Sequence, residues 1–194
     1  PFALVGCLAV VAVALLAAEW LGDRAGTLAG MLAGISGFLV AFSRIVQYQN
    51  VVVAMGCLAL LWLTKAVERQ RHRGVLLSAV FAAYGLLAHY DAVLIGPAGL
   101  WLLGRYLIVR RPLSPKRLRM SAIGVGVGVL ILGSFYFPFV LNPMFDRTFA
   151  YLTAGRLGGN AWFRSGLGSV WRMGVGYDAL IYVVGLGLLV TGAA

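Results

Sequence analysis

Apolar residues occur along this chain in long blocks, and short polar or charged stretches separate each block from the next. Blocks of this length match helices that cross a hydrocarbon core about 30 Å thick. The pattern predicts about seven membrane spans, with a polar and aromatic outer loop over residues 142–174. The predicted spans are residues 2–21, 25–42, 51–67, 74–88, 92–109, 121–141 and 178–194.

The spans are predicted to be helices rather than strands of a membrane barrel. Residues 51–63 are almost uniformly apolar, whereas barrel strands alternate between apolar and polar positions. A helix also satisfies its own backbone hydrogen bonds inside lipid. We therefore expect an all-α, polytopic transmembrane bundle in which residues 1–194 form a single domain. Because the sequence starts at Pro1 without a methionine and stops in an apolar block, it is expected to be a fragment.

Composition supports lipid as the solvent. Hydrophobic residues make up 61% of the chain and charged residues 11%, whereas soluble domains carry about 25% charged residues. The formal net charge of +10 could point to nucleic acid, but the basic residues lie between apolar blocks and not along one soluble face. We therefore expect membrane lipid as a partner and no nucleic acid.

The basic residues predict the orientation of the chain in the membrane. If successive loops alternate between the two sides, one side collects 11 of the 16 lysines and arginines. The positive-inside rule makes that side cytoplasmic, so the hairpin at His89 and Asp91 faces the extracytoplasmic side. The basic residues assigned to the cytoplasmic side are Arg24, Lys65, Arg69, Arg71, Arg73, Arg105, Arg110, Arg111, Lys116, Arg117 and Arg119.

Polar residues at the outer ends of the spans are the candidates for chemistry. Ionisable groups near membrane depth are costly and usually face a cavity. Cations and amides that line one outward cavity would suit a phosphate-bearing ligand, because arginine and protonated histidine form charge-assisted bonds to phosphate oxygens. The three clusters are Arg44 with Gln47, Gln49 and Asn50; His89 with Tyr90 and Asp91; and Asp146 with Arg147, Asn160, Arg164 and Asp178.

The same polar residues could also have purely structural roles instead of binding a phosphate. A long basic side chain such as Arg44 at a helix end often only extends toward water at the membrane surface. Asp91 follows His89 and Tyr90 closely enough to cap the start of the next helix. The chain shows no metal-ligand spacing, nucleophile elbow or phosphate-binding glycine loop. The residue pattern alone leaves a ligand site and a structural role both open.

Two stretches carry a family resemblance. In residues 30–63, Phe42-Ser43-Arg44 precedes Gln47-Tyr48-Gln49-Asn50 and a long apolar span. The second stretch is Gly85-Leu86-Leu87-Ala88-His89, with Pro97 further along the chain. Over about its first 110 residues the chain resembles the glycosyltransferases of the C superfamily, in particular the protein O-mannosyltransferase and aminoarabinose transferase branch.

The resemblance implies an enzyme that moves a sugar from a polyprenyl-phosphate carrier to an acceptor on the outer face, with the acceptor unassigned. His89 falls where the family usually has lysine, so its charge would depend on pH near a reference pKa of about 6.5. The residues implied to bind the lipid phosphate are His89, Arg44, Arg147 and Arg164. The polar cavity residues are Gln49, Asn50, Tyr90 and Asp91.

The family's catalytic aspartate belongs to an outer loop that would lie before Pro1, so no catalytic base is assigned in this chain. Members of the branch often carry an acidic residue at the polar junction that can help bind a divalent metal. This chain has Gln49 and Asn50 there. No metal ligand or cofactor is assigned, and a requirement for a divalent metal stays open.

Two other classes of function remain open from the sequence. A transporter or lipid flippase would be expected to show paired broken helices and inverted repeats. A structural subunit of a membrane complex would use the polar clusters only to bind its neighbours.

Overall fold

The computed structural model describes residues 2–108 and 114–154, together with positions 179, 183, 184 and 187. Over these residues the chain is helical and contains no β-strand, which confirms the all-α fold class. A 3₁₀ helix, Tyr90–Ile95, joins α5 to α6. The α-helices are α1 (Phe2–Leu21), α2 (Asp23–Ile35), α3 (Gly37–Arg44), α4 (Gln49–Glu68), α5 (Arg73–Ala88), α6 (Gly96–Ile108), α7 (Pro115–Val140) and α8 (Phe145–Leu152).

Four helical segments of the described part are long and apolar enough to cross a membrane, and a bent pair raises the number to five. The bent pair is α2 and α3, which meet at an angle of 54° where one continuous span was predicted. Helix α5 has 16 residues and is shorter than the four candidates. The predicted count of seven is therefore not confirmed, and the span predicted at residues 178–194 lies outside the described residues except for four isolated positions. The four are Phe2–Leu21, Gln49–Glu68, Tyr90–Ile108 and Pro115–Val140.

Helix α4 lies at the centre of the packing: α1 packs against α2 and α4, and α4 also packs against α5 and α6. Its own sequence explains this, because small residues such as Ala59 and Ala66 let neighbouring helices approach closely. A buried apolar cluster fills the space between α4, α5 and α6. Its members are Leu63, Ala66, Val67, Val75, Leu102 and Tyr106.

Glycine is required where α5 begins beside α4. A Cβ on Gly74 would collide with the backbone oxygen of Trp62 and lie 3.2 Å from Ala66 Cβ. This close approach sets two neighbouring helix ends side by side, with the polar turn 69–72 between them. We call this side of the bundle the basic end and the opposite side, where α3 and α5 finish, the polar end.

Ion pairs join the helices at the basic end. Arg69 Nη2 lies 2.8 Å from Glu19 Oε2 and links the end of α4 to the end of α1. Arg105 Nη2 lies 3.1 Å from Glu68 Oε1 and links α6 to α4. The Arg69, Arg105 and Glu68 side chains are well exposed, so solvent screens both pairs, and they orient the helix ends more than they add to stability.

Arg117 joins the start of α7 to the turn between α4 and α5. It is only 5% exposed, and it donates hydrogen bonds to Gln70 Oε1 at 2.7 Å and to the backbone oxygen of Tyr106 at 3.3 Å. The Tyr106 hydroxyl in turn lies 2.7 Å from His72 Nδ1. Because Gln70 lies between α4 and α5 and Arg117 lies in the first turn of α7, the start of α7 lies at the basic end.

The chain divides into two compact units, residues 1–35 with 39–135 and residues 36–38 with 136–194. In the second unit, Phe139 and Phe145 meet edge to face with ring centroids 5.6 Å apart. Phe145 and Phe149 stack along α8 with centroids 5.8 Å apart. Helix α8 occupies part of the predicted outer loop, and residues 155–174 of that loop lie outside the described residues. The prediction of a single domain stays a prediction.

Candidate functional site

His89 ends α5 and begins the 3₁₀ helix. Its backbone is extended, with φ −169° and ψ 148°, and its amide still donates to the oxygen of Gly85 at 3.0 Å. Its own carbonyl accepts from the amide of Ala92 at 3.1 Å. The extended residue turns the chain sharply between two helices, which places the His89 side chain at the polar end of the first unit.

The His89 ring is enclosed by three neighbours. The Tyr48 ring stacks on it with centroids 3.7 Å apart and planes 5° from parallel. The Tyr90 ring lies 3.9 Å away at 35°. Asp91 Oδ2 lies 3.0 Å from His89 Nδ1, and the ring is 14% exposed. We call Tyr48, His89, Tyr90 and Asp91 the histidine cluster.

Asp91 occupies one edge of the histidine ring. His89 Nδ1 lies 3.2 Å from the Asp91 amide and 3.0 Å from the Asp91 carboxylate. A single nitrogen cannot accept from the amide and donate to the carboxylate at once. In the neutral ring that accepts from the amide, the proton is on Nε2; in the charged ring, Nδ1 donates to Asp91 and Nε2 also carries a proton. Nε2–H is therefore a donor in both states.

The cap between α5 and α6 is made by His89 and not by Asp91. The His89 side chain accepts from the Asp91 amide, which is the role that the sequence left open for the aspartate itself. The Asp91 carboxylate is 47% exposed and lies against the imidazole. Either contact, the cap in the neutral ring or the ion pair in the charged ring, holds the histidine on its helix end.

Tyr48 joins the polar stretch that follows Arg44 to the hairpin at His89. It directly precedes α4, and its carbonyl accepts from the amide of Val52 at 2.9 Å. The residue lies four positions beyond Arg44, the last residue of α3. Because Tyr48 stacks on His89, the two polar stretches singled out by the sequence lie at the same end of the first unit.

Asn50 locks the first turn of α4 to α3. Its Nδ2 donates to Ser43 Oγ at 2.9 Å and to the oxygen of Leu39 at 3.1 Å. Ser43 Oγ also donates to the Leu39 oxygen at 2.6 Å. Gly6 of α1 packs directly on this pair: a Cβ there would collide with Ser43 Oγ and lie 3.2 Å from Asn50 Nδ2. Three helices therefore meet at one buried polar contact.

Two buried amide oxygens at this junction, Gln49 Oε1 and Asn50 Oδ1, have no hydrogen-bond partner among the residues that the structure describes. Asn50 is only 1% exposed. A buried acceptor without a partner costs about 1–3 kcal/mol, so these oxygens are ready to accept from a bound hydroxyl group or water.

The same residues do not fit a divalent metal. Protein sites for hard cations include carboxylates, whereas Gln49 and Asn50 offer neutral amide oxygens. Among residues 2–108, 114–154 and the four isolated described positions, no group of three or more His, Cys, Asp or Glu side chains is placed to hold an ion. We derive no step through a metal.

Of the other predicted phosphate ligands, the structure describes Arg44 and Arg147. Arg44 is exposed and lines a cavity of about 490 Å³ together with Gly6 and Ser43. Arg147 is exposed on α8, in the second unit. Arg164 lies outside the described residues.

Sequence reasoning did not assign roles to Tyr48, Ser43 and Gly6. Tyr48 stood in the polar junction as one residue among four, and no local signal distinguishes a tyrosine that stacks on a distant ring. Gly6 lies within the predicted span 2–21, and its position there does not show which helix packs against it. A covarying pair in an alignment, Tyr48 with His89, is the signal that would have identified the stack.

Apolar helices that are long enough to cross a bilayer, with a polar cluster at one end, define an integral membrane protein. The chain belongs to the dolichyl-phosphate-mannose-protein mannosyltransferase family, whose model matches residues 1–140. It is therefore part of a membrane glycosyltransferase of the C superfamily. No curated protein and no solved structure matches the chain significantly. The family assignment favours the enzyme over the transporter and the structural subunit.

Proposed function

We propose that this protein transfers a sugar from a polyprenyl-phosphate-linked donor to an acceptor on the extracytoplasmic face of the membrane. The family description, which names a dolichyl-phosphate-linked mannose, supports this class of donor. The positive-inside rule supports the face, because the histidine cluster lies at the end opposite to the basic loops.

The enclosed ring of His89 is the observation on which the proposal depends. Tyr48 holds one face of the ring, and Asp91 occupies its Nδ1 edge. Nε2–H can then donate to an oxygen of the lipid phosphate whether the ring is neutral or charged. In the charged state, Asp91 offsets part of the histidine charge and keeps the ring in position for the ligand.

In the reaction, an oxygen of the acceptor bonds to C1 of the sugar as the bond from C1 to the phosphate oxygen breaks. The electron pair of that bond leaves with the lipid phosphate. Negative charge therefore grows on the phosphate, and donors fixed near it stabilise the transition state. His89 is proposed to supply this stabilisation together with Arg44, Arg147 and Arg164. The resemblance implies that an aspartate removes the acceptor proton, and no residue of this chain is assigned to that role.

The amide oxygens of Gln49 and Asn50 are proposed to bind sugar hydroxyl groups. Both are buried acceptors without a partner, and a pyranose presents several O–H donors. Tyr90 and Asp91, both partly exposed, add polar groups at the entrance. Neutral acceptors here would select a hydroxylated ligand without attracting a metal ion.

The test is transfer of labelled mannose from a polyprenyl-phosphate donor by the complete protein in lipid nanodiscs. A hydrogen bond to a charged group is worth about 1.5–3 kcal/mol, so His89→Ala is expected to lower kcat/KM roughly 10- to 100-fold. His89→Lys restores a charged donor, and we expect it to recover most of that loss.

Arg119→Ala is the matched control, because Arg119 is an exposed cation at the basic end. The site assignment is wrong if His89→Ala and Arg44→Ala both turn over the lipid donor at the wild-type rate. Transfer that fails with every lipid-linked sugar while a nucleotide sugar is used would overturn the donor class.

A further inference from the structure

Helices α4 to α7 of the first unit surround an apolar cavity of about 340 Å³. Its walls are almost entirely apolar, and small residues from all four helices line it. This is about twice the volume of a 150 Å³ engineered cavity that binds benzene. Residues that define its length and walls are Leu63, Ala79, Leu86, Gly99, Ser121 and Leu132.

The cavity opens sideways between α6 and α7. Leu100 is 71% exposed and Val129 is 61% exposed, and both line the cavity. Gly99 also lines it, and a Cβ on Gly99 would meet no atom within 4 Å. In a bilayer, an apolar opening of this kind faces hydrocarbon chains and not water.

One polar atom in the cavity wall lacks a partner. Ser121 is 7% exposed, and its buried Oγ makes no hydrogen bond. It lies near the basic end, since α7 begins at Pro115. A serine in a helix commonly bonds to a carbonyl of the preceding turn, so a buried hydroxyl left over in the cavity wall indicates an acceptor supplied by an occupant.

Exposed cations precede the cavity-lining residues Val75 and Ser121 along α5 and α7. Val75 of α5 contacts the position of Gly124, with 3.2 Å between Val75 Cγ1 and a Cβ built there, so both helices begin at this end, with the start of α5 beside the third turn of α7. Arg73 and Lys116, both exposed, lie at these helix starts. Lys116 is close enough to His72 to lower the pKa of that imidazole, together with burial, which is the larger cause.

The order of groups along α7 matches the order along a phospholipid. Lys116 precedes Ser121 by about 7.5 Å of helix axis, the separation expected between a phosphate and the ester groups below it. From Ser121 to Leu132 the cavity extends a further distance of about 16 Å, which accommodates most of an acyl chain. A polyprenyl tail carries no acceptor to pair with Ser121.

We propose that the cavity binds one acyl chain of an anionic phospholipid from the leaflet at the basic end. The Ser121 hydroxyl donates to an ester carbonyl of the lipid, and Arg73 and Lys116 bind its phosphate. The chain lies along Ala79, Gly124 and Gly128 and fills space that would otherwise be empty. This site is separate from the histidine cluster at the polar end.

The experiment is native mass spectrometry of the complete protein, purified in mild detergent and offered phosphatidylglycerol or phosphatidylcholine. Gly99→Leu fills the cavity from α6, where the added side chain has room, and is expected to lower bound phosphatidylglycerol at least tenfold. Gly104→Leu is the matched control on the same helix, because Gly104 is equally open and does not line the cavity. It is expected to retain the lipid. Gly128→Leu fills the cavity from α7 and guards against a folding defect in the first variant.

Ser121→Ala is expected to weaken phosphatidylglycerol binding several-fold, and Lys116→Gln to reduce the preference for phosphatidylglycerol over phosphatidylcholine. Equal lipid retention by Gly99→Leu and Gly104→Leu would overturn the proposal. Recovery of polyprenyl phosphate instead of phospholipid would also overturn it. A segment of the protein's own chain in the cavity would do the same. Sugar transfer is not read in this assay, so its outcome does not depend on the proposed transferase site.

Discussion

The ring of Tyr48 lies flat on the ring of His89, with centroids 3.7 Å apart and planes 5° from parallel. Tyr48 belongs to the turn before α4, and His89 to the turn after α5. Stacking holds the imidazole in one orientation, and Asp91 occupies Nδ1, so Nε2 is the nitrogen that we propose to meet the ligand. The contact therefore joins the two polar stretches at the point where the lipid phosphate is proposed to bind.

Removing the stack should weaken donor binding. An aromatic pair is worth about 0.5–1.5 kcal/mol beyond burial, so Tyr48→Ala is expected to raise the KM for the lipid-linked donor about 2- to 10-fold. Tyr48→Phe keeps the stacked ring and should remain near the wild type. Steady-state transfer kinetics measure both variants. Equal KM values for the alanine and phenylalanine variants would show that the stack does not position His89.

Gly6 should not tolerate a side chain. Gly6→Ala places a Cβ against Ser43 Oγ and 3.2 Å from Asn50 Nδ2, which disturbs the buried contact of α1, α3 and α4. Overpacking of this kind costs about 1–3 kcal/mol. Thermal unfolding in detergent should show a lower midpoint for this variant. Gly133→Ala, where a Cβ meets nothing within 4 Å, should unfold at or slightly above the wild-type midpoint. A pair of equal midpoints would contradict the packing.

Arg117 should be important for stability although it lies among loop charges. Arg117→Met removes the bonds to Gln70 Oε1 and to the Tyr106 oxygen, and it leaves these acceptors without their donor. A buried group that loses its partner costs about 1–3 kcal/mol. Arg119→Met, at an exposed position two residues further on, is the control and should have little effect. Chemical denaturation compares them, and a similar loss in both would argue against a specific role for Arg117.

His72 should make the fold less stable in mild acid. Burial lowers the pKa of His72, and the charges of Lys116 and Arg117 lower it further. The unfolded histidine has the ordinary pKa of about 6.5, so below pH 6.5 the unfolded state binds more protons than the folded state. The free energy of unfolding should therefore fall as the pH drops from 6.5 toward the pKa of the folded state. Well above pH 6.5, the contribution of His72 should not change with pH.

The measurement is thermal unfolding from pH 8 to pH 5 for the wild type and His72→Asn, both of which retain His89. The difference between the two midpoints should be constant above pH 7 and should change below pH 6.5, as the wild type loses stability faster. Parallel curves over the whole range would contradict the contribution of His72.

The bounds of a helix could be predicted closely where contact with lipid requires every turn to be apolar. Residues 2–21 were predicted as a span and form α1, and the predicted span 51–67 forms α4 at Gln49–Glu68. A helix in hydrocarbon must be apolar along its whole length, so its bounds are visible in the sequence. The span predicted over residues 25–42 is bent by 54° between α2 and α3, at Ser36. Hydropathy is continuous through this bend, so the pattern could not reveal it.

The candidate site was predictable only in part. His89, Asp91 and Asn50 stood out because polar groups are rare at the ends of apolar helices. Their partners did not stand out: the sequence carries no local sign that Tyr48 stacks on His89, or that Gly6 packs on Asn50. Arg117 was predicted to be one of many loop charges, whereas it is buried against Gln70.

The sequence by itself determined that this chain lies in a membrane and that its spans are helices, because both follow from the cost of placing polar groups in hydrocarbon. Only the tertiary structure decided which side chains meet. The stack of Tyr48 on His89 and the bonds of Arg117 join residues that are distant in the chain, and such contacts depend on how the helices pack, which is a property of the whole bundle and not of any one span.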